Sequence, residues 1–387
     1  MKSDQNVRCF SRDEYHRRHE LTREWMEEQG LTGLILYANR YGGAGVDWLS
    51  SFPPRHDTYL VWPLRGEATL LVQIFNHVPN AQRVSVIEDT RWGGAESAAT
   101  VVEVLKANGL TGGRVGLVGK VPYTDHQILV SHLPGIDFIP AGKGYTRLRL
   151  VKSAEELEWL HVGAKFTDSA MEALVRAAAP GVSEFELVAA IEASYTAAGG
   201  EHGIHFLVST PMANPSAFVP AQNQTGRILN VGDAVISELS AGVRGYAGQI
   251  HRPIAIGQKP TPLYQRLYDV ALEAYLRITD VLRPGATTEQ VLDEADLIEK
   301  AGLSVCDDLV HGYGLGYLDP VLRTRATANK PQPEDFVFEE DMVLVVQPNV
   351  YDPESGAGLQ LGNMLRISTD GAVSMQDYAM GFFECGR

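Results

Sequence analysis

Between Gly232 and Pro253 the chain reads as two apolar runs joined by a glycine-rich reversal. Val235 and Ile236 start a strand, Gly242 and Gly245 bracket a tight turn, and Tyr246 to Ile250 form the returning strand. Antiparallel pairing of these runs sets Glu238 and Gln249 near each other, so two polar groups share one place. The surrounding chain has to supply what covers this hairpin.

With 387 residues the chain has room for two domains, each with its own core. Hydrophobic residues make up 44% and charged residues 21%, a globular rather than a disordered composition. The net charge of −15 repels phosphates, which argues against nucleic-acid binding and against an acidic membrane surface. No apolar run approaches the roughly 20 residues of a membrane span. Met1 to Tyr15 are polar and charged, without the apolar core of a secretory signal. Cys9, Cys306 and Cys385 are odd in number and far apart, fitting neither a disulfide framework nor a zinc site. These features predict a cytoplasmic protein.

Residues 1–150 alternate between helix and strand signals, which predicts a small α/β domain. A helix is expected over 11–30, with Ser11 as N-cap and Gly30 as stop, and another over 97–108 with Ser97 as N-cap. Strands are expected at 34–37, 59–62, 68–73 and 115–118, and Thr111-Gly112-Gly113 reads as a turn. The boundary falls near Arg147–Glu156, where Ser153 and Glu156 have capping-box spacing and open a helix to about Ala178. Residues 151–387 then segregate their elements, which predicts an α+β domain. Its helices are expected at 183–198, 261–282 and 288–301, and its strands at 234–240, 246–256, 342–347 and 362–368. Ser209 to Gln224 reads as a long polar loop, the kind that covers a pocket.

The hairpin resembles the central metal-binding hairpin of the creatinase, prolidase and aminopeptidase P family. Its pattern there is Gly-Asp, then Asp-x-Gly, then Gly-Tyr-x-Ser-Asp-x-Thr-Arg. Three further segments match in order: the Lys152-Ser-Ala-Glu-Glu156 linker, His311-Gly312-Tyr313-Gly314, and Asp341-Met342-Val343 running to Gln347-Pro348. The resemblance implies a pita-bread C-terminal domain preceded by a smaller creatinase-type N-terminal domain. The five family ligands, Asp, Asp, His, Glu and Glu, fall here on Glu238, Gln249, His311, Gln347 and Gly362, the last followed by Asn363. Two divalent ions need bridging carboxylates, and neutral amides are weak substitutes. No metal or other cofactor is therefore expected.

The family contains metal-free enzymes, creatinase and ectoine hydrolase, and the second carries Glu where Glu238 stands. The catalytic His of creatinase falls here at Ala221, beside Gln222 and Asn223, so that role does not carry over. The resulting expectation is a metal-independent hydrolase of a non-peptide C–N bond in a small polar metabolite. Glu238 would be base or nucleophile, its pKa raised by burial, and His311, titrating near neutrality, would shuttle the proton. His251 is a further catalytic candidate. Gln249, Gln347, Asn349, Asn363 and Tyr313 would orient the substrate, and Arg252 with His251 would bind a carboxylate. In the family, N-domain loops reach the partner's site across a homodimer, which implicates Arg55, His56 and Asp57.

Alternatives are a lyase on the same site, a non-catalytic binding protein, and a metal-dependent Xaa-Pro peptidase. Each residue also has a structural reading. Glu238 is then a satisfied carboxylate, His311 a packing group, and Gln249 and Gln347 a pair that fixes two strands. His251 and Arg252 become an ion cluster with Glu340 or Asp341, and residues 51–59 an exposed Pro-rich turn. The acidic run Glu334-Asp335 and Glu339-Glu340-Asp341 reads as solvated surface.

Overall fold

The computed structural model describes residues 10–328, 332–333 and 335–386. Cys9 and Glu334 lie outside the described residues. Contacts divide the chain into two compact units, residues 1–149 and 150–387.

The first unit is built on a six-stranded sheet. Its spatial order is Asp89–Trp92, Thr69–Val72, Thr58–Pro63, Gly33–Ala38, Gly113–Val118 and Ile136–Pro140. The second of these, with the next two, forms an antiparallel meander, while the outer strands join in parallel. The first helix, Arg12–Glu28, starts where expected, with Ser11 Oγ accepting from Glu14 N at 3.1 Å. It ends before Gly30, whose φ of +64° suits a residue without Cβ. The expected cap at Ser97 sits one residue off. Ser97 is the first residue of the helix Ser97–Ala107, and Glu96 holds the cap position without a side-chain bond. Asp89–Trp92 and Ile136–Pro140 were not expected. Both are short and their faces are mostly polar or half-exposed, so no apolar run marks them.

The second unit carries an eleven-stranded sheet. Its path runs Gly316–Leu322, Val310–Gly314, Val343–Val346, Gly362–Ser368, Ile250–His251, Asp233–Val243, Ile254–Ile256 and Phe383–Cys385. Glu201–Pro211 pairs along the outside of Asp233–Val243. The capping box at Ser153 and Glu156 forms with both bonds and opens Ala154–Ala177. Ser183 and Glu186 make a second one before Glu184–Thr196. The helix expected at 288–301 is two pieces, Thr288–Ala295 and Leu297–Lys300, broken at Asp296.

The returning strand of the hairpin also breaks into pieces, Tyr246–Ala247, Ile250–His251 and Ile254–Ile256. Pro253 has no N–H to donate, which interrupts the last step. The register nevertheless stays constant: Val243 faces Tyr246, Leu239 faces Ile250 and Val235 faces Ile254. The turn itself is Arg244-Gly245, with φ of 55° and 81°, the left-handed pair that suits a tight hairpin.

Side chains alternate across this sheet with period two, and that decides its chemistry. Leu239, Ile250 and Val235 point to one face, where Met171, Leu174, Leu187 and Ile191 cover them. Leu344, Val346, Leu365 and Ile367 lie against Leu267, Ala271, Ala274 and Ile278 of Pro262–Val281. Glu238, Gln249 and His251 are left to the opposite face. Among the described residues no helix is long and apolar enough to cross a membrane.

Candidate active site

Glu238 lies on the central strand and is 8% exposed. The register that joins Leu239 to Ile250 sets His251 across from it and Gln249 one diagonal away. Gln249 Nε2 donates to Glu238 Oε1 at 2.7 Å and to Gln347 Oε1 at 3.2 Å. Gln347 Nε2 donates to the Asp308 carbonyl at 2.9 Å. The two glutamines thus pair with each other and with the carboxylate in one chain of bonds. His251 Nε2 stands 3.9 Å from Glu238 Oε2.

Burial pushes Glu238 up to about 8, and the negative charges of Asp307 and Asp308 add to the rise. The Gln360 amide opposes it, although neither of its polar atoms reaches hydrogen-bond geometry with any described residue. Asn349 Nδ2 donates to Asp307 Oδ2 at 3.2 Å, while its Oδ1 is without a partner. His251 Nδ1 makes no hydrogen bond of full geometry, although the Gly362 backbone lies against the ring. Buried polar atoms are rarely left unpaired, so the unpartnered Gln360 amide beside Glu238 points to a polar ligand.

His311 lies on the strand Val310–Gly314 rather than in a glycine loop, and is buried. Tyr317 stacks on its ring with centroids 4.1 Å apart, and Nδ1 lies 3.1 Å from the Gly312 carbonyl. The expectation that it titrates near neutrality fails. Burial holds it at about 4, so its imidazole is neutral at pH 7. His251 is likewise held down, to about 3, by burial and by the neighbouring His311 and Arg252. Tyr313 reaches Ser240 Oγ at 3.2 Å, and burial raises its hydroxyl to about 12.

Two expected substrate contacts belong elsewhere. Asn363 pairs with Ile250 in the sheet, so it faces the helices rather than Glu238. Arg252 follows His251 and points the same way as Asn363. Its guanidinium donates to the carbonyls of Ala379, His251, Gly362 and Tyr378 and to Asn363 Oδ1, each at 2.8–2.9 Å. It is fully buried and has no donor left for a substrate carboxylate. Nor does it join Asp341, which pairs with Arg366 at 2.6 Å. Asp335, Glu339 and Glu340 are exposed.

In the first unit, Arg55 and His56 are exposed, and Asp57 accepts from Tyr37 Oη at 2.7 Å. In the second, the expected loop begins as strand up to Pro211. Glu184 ties its two ends together, accepting from Ser209 N at 2.8 Å and from Thr225 N, one residue past Gln224, at 2.9 Å. Phe218 stacks on Tyr351 with centroids 4.7 Å apart.

Asp307, Asp308, Gln360 and Tyr317 were missed from sequence. Asp307 and Asp308, four and three residues before His311, form a paired acid that lies outside the family motif. Gln360 sits two residues before Gly362, in the irregular segment that leads into that strand.

The family's two metal ions do not fit the five matching positions. Glu238 is the only carboxylate there, and the amide of Gln249 already occupies one of its oxygens. At Gly362 a Cβ would meet the Val346 carbonyl oxygen at 2.4 Å, so the final carboxylate has no space. Gly362→Ala is accordingly expected to lower stability by about 2 kcal/mol, read from the urea midpoint. An unchanged midpoint would refute the close approach of these strands.

Residues 158–369 match the model of metallopeptidase family M24, and residues 18–151 match the Creatinase/Prolidase N-terminal domain. The chain belongs to family M24, with a creatinase-type N-terminal domain ahead of its pita-bread domain. It is 23% identical to the uncharacterized peptidase YqhT of Bacillus subtilis, over 91% of this chain and 95% of that one. It is 27% identical to the Xaa-Pro dipeptidase of Pyrococcus furiosus, over 58% of this chain and 62% of that one. The Xaa-Pro dipeptidase from Bacillus anthracis shares the fold, with a TM-score of 0.77 and 22% identity over 96% of this chain and 99% of that one. These relatives are peptidases. They overturn the expected hydrolase of non-peptide C–N bonds and favour the peptidase alternative.

Proposed function

We propose that this chain is a peptidase that hydrolyses the amide bond of a short peptide, with Glu238 as general base. The observation that carries the proposal is the buried Glu238 carboxyl, held near pH 8 with the unpartnered Gln360 amide beside it. The names of the relatives support the peptide bond as target. A base with a pKa near the working pH is both available and strong enough to take a proton.

Ionised Glu238 takes a proton from water through Oε2, the oxygen not bonded to Gln249. The water oxygen bonds to the peptide carbonyl carbon, and the carbonyl oxygen takes the negative charge. Gln360 Nε2 is a donor with no other partner and stabilises that charge. As the C–N bond breaks, Glu238 returns its proton to the leaving nitrogen. Neutral His251 and His311 hold the shape and polarity of the site without changing charge at pH 7.

The test is hydrolysis of a panel of dipeptides and tripeptides, Xaa-Pro sequences included, between pH 6 and 9. Parallel runs contain chelator or added manganese. The expected result is cleavage that rises through about pH 8 and is indifferent to chelator. Cleavage only after manganese loading would replace this reading by the metal-dependent Xaa-Pro peptidase that the relatives' names favour. No cleavage of any peptide would overturn both.

A further inference from the structure

Glu201–Pro211 carries an irregularity that gathers three potential metal ligands. Residues three apart on a regular strand face opposite ways. Here the register shifts between His202 and Ile204, so His202 faces Ala241 and His205 faces Leu239. Those partners are two residues apart, which puts both imidazoles on one face. Gly203 makes the bulge possible, since a Cβ there would meet the Ser240 carbonyl oxygen at 2.7 Å. The rings meet edge to face with centroids 4.5 Å apart.

Glu192, on the helix Glu184–Thr196, completes the group, with Oε1 3.1 Å from His202 Nδ1. One ligand atom from each of Glu192, His202 and His205 lies within 4.8 Å of the others. Among the described residues no other group of three His, Cys, Asp or Glu side chains meets that condition. His205 is 3% exposed, and its Nδ1 has no hydrogen-bond partner. Its Nε2 lies 2.7 Å from Tyr195 Oη, one turn along the helix from Glu192. Donation of Nε2–H to Tyr195 leaves the Nδ1 lone pair free, the arrangement of a metal-bound histidine oriented by an outer partner.

We propose that Glu192, His202 and His205 form a zinc-class divalent metal site that braces the helix Glu184–Thr196 against the strand Glu201–Pro211. Two imidazoles and one carboxylate are a zinc ligand set, with water in the fourth position. The site lies on the helix-covered side of the strand pair. Phe206, which faces Glu238 in the register, points to the other side, so the two sites are separate.

The probe is zinc chloride alone, with uptake followed by equilibrium dialysis and elemental analysis, and stability by thermal unfolding. Wild type is expected to take up about one zinc per chain and to gain roughly 5 °C in Tm at saturating metal. His202→Gln and Glu192→Gln change half-exposed side chains and leave the fold intact. Each is expected to lower zinc affinity at least ~100-fold, more than the loss of an outer partner costs, and to abolish the Tm gain. Glu238→Gln is expected to bind zinc as wild type does. No uptake by wild type, or uptake unchanged in both His202→Gln and Glu192→Gln, would overturn the site. Loss of uptake in Glu238→Gln would also overturn it, by moving the metal to the hairpin.

Discussion

Glu238→Gln is expected to cut peptide hydrolysis by about 10²- to 10⁴-fold, the usual cost of losing a general base. The amide keeps the shape of the side chain but cannot take a proton. The same change is expected to stabilise the fold at high pH. In the folded chain Glu238 keeps its proton to about pH 8, whereas its ordinary value is 4.5. Between those values the folded state binds more protons than the unfolded one, so stability falls as pH rises. The contribution of the protonated group is complete below about 4.5 and lost by pH 9. A shift of this size corresponds to roughly 2–5 kcal/mol, of which glutamine, a mimic of the neutral acid, is spared the whole. Urea unfolding at pH 5 and pH 9 measures it. The variant should match wild type at pH 5 and exceed it at pH 9. Equal stabilities at pH 9 would mean that Glu238 ionises as an ordinary carboxylate.

Arg252→Met is expected to cost about 3–5 kcal/mol of stability, the largest loss from any single substitution considered. Burial lowers the guanidinium to about 10, so the charge is held against desolvation by its acceptors. Removing it strands four backbone carbonyls and Asn363 Oδ1 away from water. Lysine should not rescue, because three donors on one nitrogen cannot reach five acceptors spread over three segments. A urea midpoint that falls by less than ~1 kcal/mol equivalent would refute this role. If Arg252 instead bound substrate, Arg252→Met would raise KM with stability intact.

These two residues illustrate how adjacent positions separate. His251 and Arg252 are neighbours in sequence and were assigned one task, recognition of a carboxylate. Strand alternation sends His251 toward Glu238 and Arg252 under the helices, where Tyr378 and Ala379 wait from a distant segment. No local pattern announces carbonyls that arrive from more than a hundred residues away. His311 shows the same limit in its charge. A histidine beside glycines reads as open and titratable, and only the stack of Tyr317 and the depth of the strand make it neutral.

The amino-acid sequence by itself determined the family and the hairpin, because each rests on residue identity at fixed spacing. Capping boxes at Ser153 and the reversal at Arg244-Gly245 are local physics and form as their residues dictate. The pairing of Glu238 with Gln249 follows from antiparallel geometry alone. Only the tertiary structure decided which polar side chains share a face, which charges are buried, and where Asp307, Asp308 and Gln360 converge. It also decided that His202 and His205 meet, through a bulge set by pairing with Asp233–Val243. Register and burial are properties of what lies across the sheet, and the residues across the sheet come from elsewhere in the chain.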